Sequence, residues 1–333
     1  MNKIYFLLKL NRYIQNPRLK SFGIYFLHII GKRYIGIFLD PVLACNLRCK
    51  MCYFSDEEKR KNLKGKFSLD ELKLIANAFF HRALKLQIGC GAEPSLFKHN
   101  KELIRLAKEK NIPYVSMTTN GILFSEEDLR ELVEAGLDEI TLSIHGIYKE
   151  TYEYFMTGAV YEKLLEVLQH LTEIKKKHPN FKIRINYTVN KDNLNELKDF
   201  FCAFSKYHFD IIQIRPIHEI GNTEYNDFSW NEIYEKYDEV IEVVKKECVI
   251  RNITCIAPSR NDLIKQINES NSVAEQTYCY MSPRAIWKND FDIKTDTFET
   301  YSKRVNLARR YLKKVFQGQE KNNNNRSLNY EIS

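Results

Sequence analysis

Between residues 34 and 216 short apolar runs alternate with amphipathic segments, and this alternation constrains the fold of the 333-residue chain more than any other feature. Strand-like runs fall at residues 34–39, 84–88, 114–118, 139–144, 181–189 and 211–215. Helical periodicity fills the gaps, from Ser68 to about Phe80, Lys101 to Lys110, Ser125 to Gly136, Tyr161 to Lys177 and Leu194 to Tyr207. Ser68 and Ser125 read as N-caps, each followed by acidic residues in the first turn. Regular βα alternation predicts a parallel sheet with right-handed crossovers. Six units are too few for a closed eight-fold barrel, so a partial barrel or open sheet is expected. In either, the functional site lies at the C-terminal ends of the strands.

Charge and composition divide the rest of the chain. Residues 1–39 carry seven Lys and Arg and no Asp or Glu, which is nearly all of the net charge of +8. The remainder is close to neutral, so no nucleic-acid partner is expected. The reading has four segments: 1–33, a basic amphipathic helical segment with one or two short helices interrupted near Asn16-Pro17; 34–221, the βα series; 222–316, an α+β extension; and 317–333, a disordered tail containing four consecutive Asn. The extension is read as a helix from Trp230 to Lys246, a strand from Val249 to Ile256 and a basic helix from Thr300 to Phe316. The longest apolar run, Phe22 to Ile30, is about half the length needed to span a bilayer. No secretory signal is evident, so a cytoplasmic protein with reduced thiols is expected. Segment 1–33 either covers the seam of the sheet or makes peripheral contact with a membrane.

The loop after the first strand reads Asp40-Pro41-Val42-Leu43-Ala44-Cys45-Asn46-Leu47-Arg48-Cys49-Lys50-Met51-Cys52-Tyr53. Its three Cys have the spacing C-x3-C-x2-C. Three thiolates can hold three corners of a four-iron cluster and leave one iron open to a small molecule. Part of a structural zinc site is an alternative, but it needs a fourth ligand, and no second C-x2-C follows. A disulfide would leave one Cys over.

This triplet, placed after the first strand of a βα series, resembles the radical S-adenosylmethionine (SAM) superfamily over residues 34 to 220. The resemblance implies a partial (β/α)6 barrel, one 4Fe-4S cluster held by Cys45, Cys49 and Cys52, and SAM chelated to the open iron. It implies reductive cleavage of SAM to a 5′-deoxyadenosyl radical that abstracts hydrogen from a substrate. It also implies an electron donor such as flavodoxin or ferredoxin. The family often has an aromatic residue before the third Cys; here Met51 stands there and Tyr53 follows, both candidates for SAM contact.

Further candidates lie at the other strand ends. Gly89-Cys90-Gly91-Ala92-Glu93-Pro94 resembles the family's G-G-E-P motif, which implies SAM binding by Gly91 and Glu93. Thr119 and Asn120 follow the third strand, where the family lines its cavity. Ser143 at the fourth strand is a candidate for the SAM ribose or carboxylate. His145 follows it, read either as a hydrogen-bonded structural group or as a catalytic candidate. On the fifth strand Arg184, Asn186 and Thr188 share one face, and by analogy Arg184 meets the methionine carboxylate and Asn186 the ribose. On the sixth, Arg215 is a candidate anchor for an anionic substrate. Cys248, Cys255 and Cys279 lack the spacing for an auxiliary cluster and read as small buried hydrophobes. The substrate is open among peptides, cofactor precursors, sugars and lipids. A cluster-bearing scaffold or regulator without turnover, or a zinc-stabilised binding module, are the competing readings.

Overall fold

A computed structural model describes residues 14, 16–218, 220, 222–225, 230–261 and 276–317. Most of the expectation for 1–33 that concerns residues before Asn16, and the tail beyond residue 317, fall outside the described residues. In chain order the elements are α1 (Pro17–Ile29), β1 (Ile35–Leu39), α2 (Glu57–Asn62), α3 (Leu69–Phe79), β2 (Ala83–Ile88), α4 (Asn100–Glu109), β3 (Tyr114–Thr119), α5 (Glu126–Glu134), β4 (Glu139–Ile144), α6 (Lys149–Phe155), α7 (Tyr161–Lys177) and β5 (Lys182–Val189). There follow α8 (Phe200–Ala203), β6 (Ile211–Pro216), α9 (Trp230–Ile250), β7 (Thr254–Ile256), β8 (Tyr278–Ser282), β9 (Ala285–Ile286), α10 (Phe298–Arg304) and α11 (Leu307–Gln317).

All nine strands belong to one open sheet, ordered β7-β6-β5-β4-β3-β2-β1-β8-β9. Strands β1 to β8 pair in parallel, and only β9 runs antiparallel, on β8. The six expected strands are its centre. Two more parallel strands come from beyond residue 221: β7 extends the β6 edge, and β8 lies beside β1 with Phe38 opposite Tyr280. The sequence boundary at 221 therefore does not divide the sheet.

Each strand alternates, which sets one face against the helices. Ile37, Leu86, Met117, Ile140, Leu142, Ile183, Ile185 and Ile212 are fully buried beneath Leu72, Ile75, Leu103, Leu164 and Leu171 of the surrounding helices. The other face presents Lys85, Gln87, Ser116, Thr118, Glu139, Thr141, Ser143, Arg184, Asn186 and Gln213. A doubly wound sheet buries both faces and reads as continuous apolar runs. A one-sided apolar face is the pattern of a barrel wall, whose inner surface is free to meet a polar ligand.

The helix starts follow local chemistry. Ser68 with Glu71, and Ser125 with Asp128, form capping boxes on α3 and α5. Three boundaries differ from the sequence reading. Apolar residues Val249 and Ile250 still belong to α9, and strand geometry is confined to Thr254–Ile256. The basic segment 300–316 is two helices, broken at Asn306, whose φ of 51° is outside the helical region. Residues 194–207 form a 3-10 turn over Asn195–Asp199 and the short α8 rather than one helix. No helix among the described residues is long and apolar enough to cross a membrane.

Candidate active site at the strand ends

β1 delivers the chain into the Cys loop through Asp40. This carboxylate is fully buried and accepts hydrogen bonds from the backbone N–H groups of Cys90 (2.7 Å), Gly91 (3.1 Å) and Ala92 (3.3 Å), and from the Tyr280 hydroxyl (2.8 Å). Burial raises its pKa and these donors oppose the rise. The turn after β2 is thereby pinned beside the Cys loop. That turn also requires Gly89: its φ is +75°, and a Cβ there would stand 2.3 Å from the Thr118 carbonyl oxygen.

The Cys loop is held from both sides. Arg48 N–H donates to the Thr157 carbonyl and Lys50 N–H to that of Phe155, each at 2.9 Å. The Arg48 guanidinium folds back on the Cys45 and Leu47 carbonyls. Leu47 N–H points at Cys45 Sγ, 3.4 Å away. Cys45, Cys49 and Cys52 are all free thiols. Burial pushes Cys45 to about 12 and Cys52 to about 11, and Cys49 well above the ordinary thiol range, with its two partner thiols adding to the rise. Three thiols that feel one another in a water-poor loop, one with an amide N–H aimed at its sulfur, are a donor set suited to an iron–sulfur cluster, which binds thiolates and displaces their protons. Among the described residues no three His, Cys, Asp or Glu side chains converge on a single ion-sized point.

Several candidates are engaged by the protein itself. Glu93 is buried and accepts from Ser95 N–H (2.9 Å), Asn120 N–H (2.9 Å) and the Thr119 hydroxyl, joining the β2 turn to the end of β3. Asn120 reaches back to Asn46 Oδ1 of the Cys loop at 2.9 Å. Tyr53 is buried, and its hydroxyl donates to the Gly91 carbonyl. Met51 packs with Phe155, Ile217 and Tyr225, and its sulfur accepts from Asn190 Nδ2 at 3.1 Å. Arg184 lies at the opposite end of the sheet from the Cys loop. Its guanidinium is bound by Glu139, the first residue of β4 (2.9 and 3.0 Å), and by Gln213 (2.9 Å). Methionine-carboxylate contact, the role its resemblance implied, would have to be made from that far end.

Other candidates face the site with capacity left over. Ser143 and Asn186 are register neighbours on β4 and β5, and Asn186 is opposite Gln213 on β6. Asn186 Oδ1 and His145 Nδ1 are buried and lack a hydrogen-bond partner, as does Ser116 Oγ, which lies beside Glu139 at the far end of the sheet. Such atoms are costly unless a ligand or water meets them. Burial, and then the positive charge of Arg215, lower His145 to about 4. Arg215 and His218 lie close enough for the same charge to lower His218 as well.

Sequence reasoning missed Asp40, Lys85 and Tyr280. Lys85 lies on the inner face of β2, donating to Gln87 Oε1 at 2.8 Å, and burial lowers it to about 8. Its alternation with Leu84 and Leu86 was a readable signal. Asp40 stood next to the Cys loop, but its partners on the β2 turn and β8 had no local signature. Cys248 and Cys279 are buried in the core and Cys255 packs against it, the hydrophobe role expected for them.

Residues 40–201 match the family model described as the Radical SAM superfamily. These residues, just under half of the chain, form a radical SAM domain. The family match implies a 4Fe-4S cluster and SAM as cofactors. Among its relatives are two proteins named probable GTP 3',8-cyclase. That of Sulfolobus acidocaldarius is 28% identical over 193 residues, covering 58% of this chain and 59% of the relative. That of Sulfurisphaera tokodaii is 24% identical over 209 residues, covering 63% and 64%. The chain thus spans about three fifths of the length of these relatives. Similar folds include the crystal structure of Streptococcus suis SuiB, with a TM-score of 0.63 and 15% identity over 81% of this chain and 66% of that one. The structure of anSMEcpe with bound AdoMet and Cp18Cys peptide has a TM-score of 0.58 and 17% identity, covering 86% and 84%.

Proposed function

We propose that Cys45, Cys49 and Cys52 hold the 4Fe-4S cluster of this superfamily enzyme, and that SAM lies beside it over the inner ends of β4 to β6. When bound and reduced, the cluster would supply one electron to SAM, whose cleavage to methionine would leave a 5′-deoxyadenosyl radical able to take a hydrogen atom from the substrate. The chain's own residues do the positioning. Asp40 and Glu93 fix the turns that flank the Cys loop. Asn186 Oδ1 offers an acceptor to a polar group of SAM or substrate. His145, neutral at pH 7, offers one ring nitrogen to whatever is bound there. Arg215 anchors an anionic part of the substrate. A flavodoxin or ferredoxin serves as electron donor.

The observation that carries this reading is the placement of three thiols directly after β1, at the end of a sheet whose inner face is polar. Two named relatives make GTP the first substrate to assay, with peptides, other cofactor precursors, sugars and lipids to follow. The test is anaerobic reconstitution, determination of iron and sulfide, and assay of 5′-deoxyadenosine after adding SAM and dithionite with each candidate substrate. The expected result is about four irons per chain, lost on Cys45→Ala, Cys49→Ala or Cys52→Ala. An intact cluster that yields no 5′-deoxyadenosine with any of these substrates would favour a scaffold without turnover.

A further inference from the structure

Helix α1 has two apolar faces. Its inner face carries buried Ser21 and Ile24 and half-buried His28, held by Gln276 Nε2 on Ser21 Oγ (3.1 Å), by a 3.0 Å contact of His28 Nδ1 with the Tyr34 hydroxyl, and by edge-on packing of His28 against Tyr311. Its outer face carries Leu19, Phe22, Phe26 and Ile29, each about half exposed at 49–55%. The spacing of three, four and three residues places these four in one stripe along the helix. Single exposed hydrophobes need no explanation, but a helix-long stripe does.

The surroundings of the stripe identify its partner. Neither α1 nor its neighbour α11 contains an acidic residue. Arg18 on α1, Lys32 just beyond it, and Arg309, Arg310 and Lys313 on α11 are exposed. Phe316 on α11 adds a further exposed ring, at 72%. A second copy of this chain docked on the stripe would bring two acid-free, cationic helix pairs face to face. A nucleic acid would satisfy the cations but offer nothing to the apolar stripe. An anionic lipid surface satisfies both, through headgroup charge and acyl chains.

We infer that α1 and α11 form a peripheral docking face for anionic membranes, with Leu19, Phe22, Phe26 and Ile29 entering the headgroup layer. The inner contacts hold α1 against the enzyme, so docking fixes the orientation of the whole sheet relative to the bilayer. This inference does not depend on the proposed chemistry.

The test is flotation of the cluster-loaded full chain with phosphatidylcholine vesicles, with and without phosphatidylglycerol. The chain should float with the anionic vesicles at low salt and less at about 0.5 M NaCl, where charges are screened within a few ångströms. The double variant Phe22→Glu and Phe26→Glu, with iron content equal to the parent, should bind roughly tenfold less or weaker. Leu74→Glu, an exposed apolar position on α3, should bind as the parent does. The inference is overturned if the parent does not float with anionic vesicles, or if the double variant floats equally well. It is also overturned if light scattering shows a dimer that the double variant converts to a monomer, which would make a second copy the partner.

Discussion

The Tyr280 hydroxyl lies 2.8 Å from Asp40 Oδ2 and joins β8 to the end of β1 across 240 residues of sequence. The same carboxylate receives three backbone N–H groups of the β2 turn. One side chain thus connects the first strand, the second strand's turn and a strand from the far end of the chain.

Asp40→Ala leaves three backbone donors and one hydroxyl without their acceptor in a buried place. The expected loss of stability is about 3 kcal/mol or more. Tyr280→Phe removes one bond and should cost about 1–2 kcal/mol. Urea unfolding of the two single variants and the double variant measures the coupling, which should be non-additive because they share one contact.

Glu93 serves donors from Ser95, Thr119 and Asn120 at once. In Glu93→Gln the amide nitrogen must face a donor wherever the amide is turned. A destabilisation of about 1–3 kcal/mol is expected. The affinity for SAM, read by equilibrium dialysis, should fall with it, because Asn120 is tied to the Cys loop through Asn46.

Lys85 has its folded-state pKa lowered by burial from 10.5 to about 8. Between these values the unfolded chain holds a proton on Lys85 that the native protein does not, so stability rises with pH across this window. Denaturation midpoints of the parent should therefore gain on those of Lys85→Met from about pH 8 to pH 10. A constant difference would place Lys85 in a water-like environment.

His145 is lowered from 6.5 to about 4, again chiefly by burial. Here too the native state binds fewer protons, so the stability tied to neutral His145 is present above pH 6.5 and is lost as pH falls towards 4. His145→Gln should flatten this part of the pH–stability curve. A His145 resonance titrating near 6.5 in an NMR pH series would contradict the burial seen here.

The fold was legible where chemistry is local. Six strands and four of the five helices between them declared themselves through alternation and capping serines, and the Cys triplet marked the loop after the first strand. What depended on distant partners was not legible. Val249 and Ile250 have strand-like side chains, yet the long α9 carries them to its end and only Thr254–Ile256 reaches the β6 edge. Arg184 shares a strand face with Asn186, but Glu139 on the next strand binds its guanidinium at the far end of the sheet. Strand alternation identifies a face, and only the neighbouring strands determine which side chains on it are left over for a ligand.

The pairing of β8 with β1 also sets an order of events at the ribosome. The three cysteines are made early, but Tyr280, which packs in the same cluster as Cys45 and Cys52, follows about 230 residues after them. At translation rates of roughly 5–20 residues per second, that interval lasts on the order of ten to fifty seconds. During it the cysteine loop is already made but lacks the packing partner that β8 later supplies.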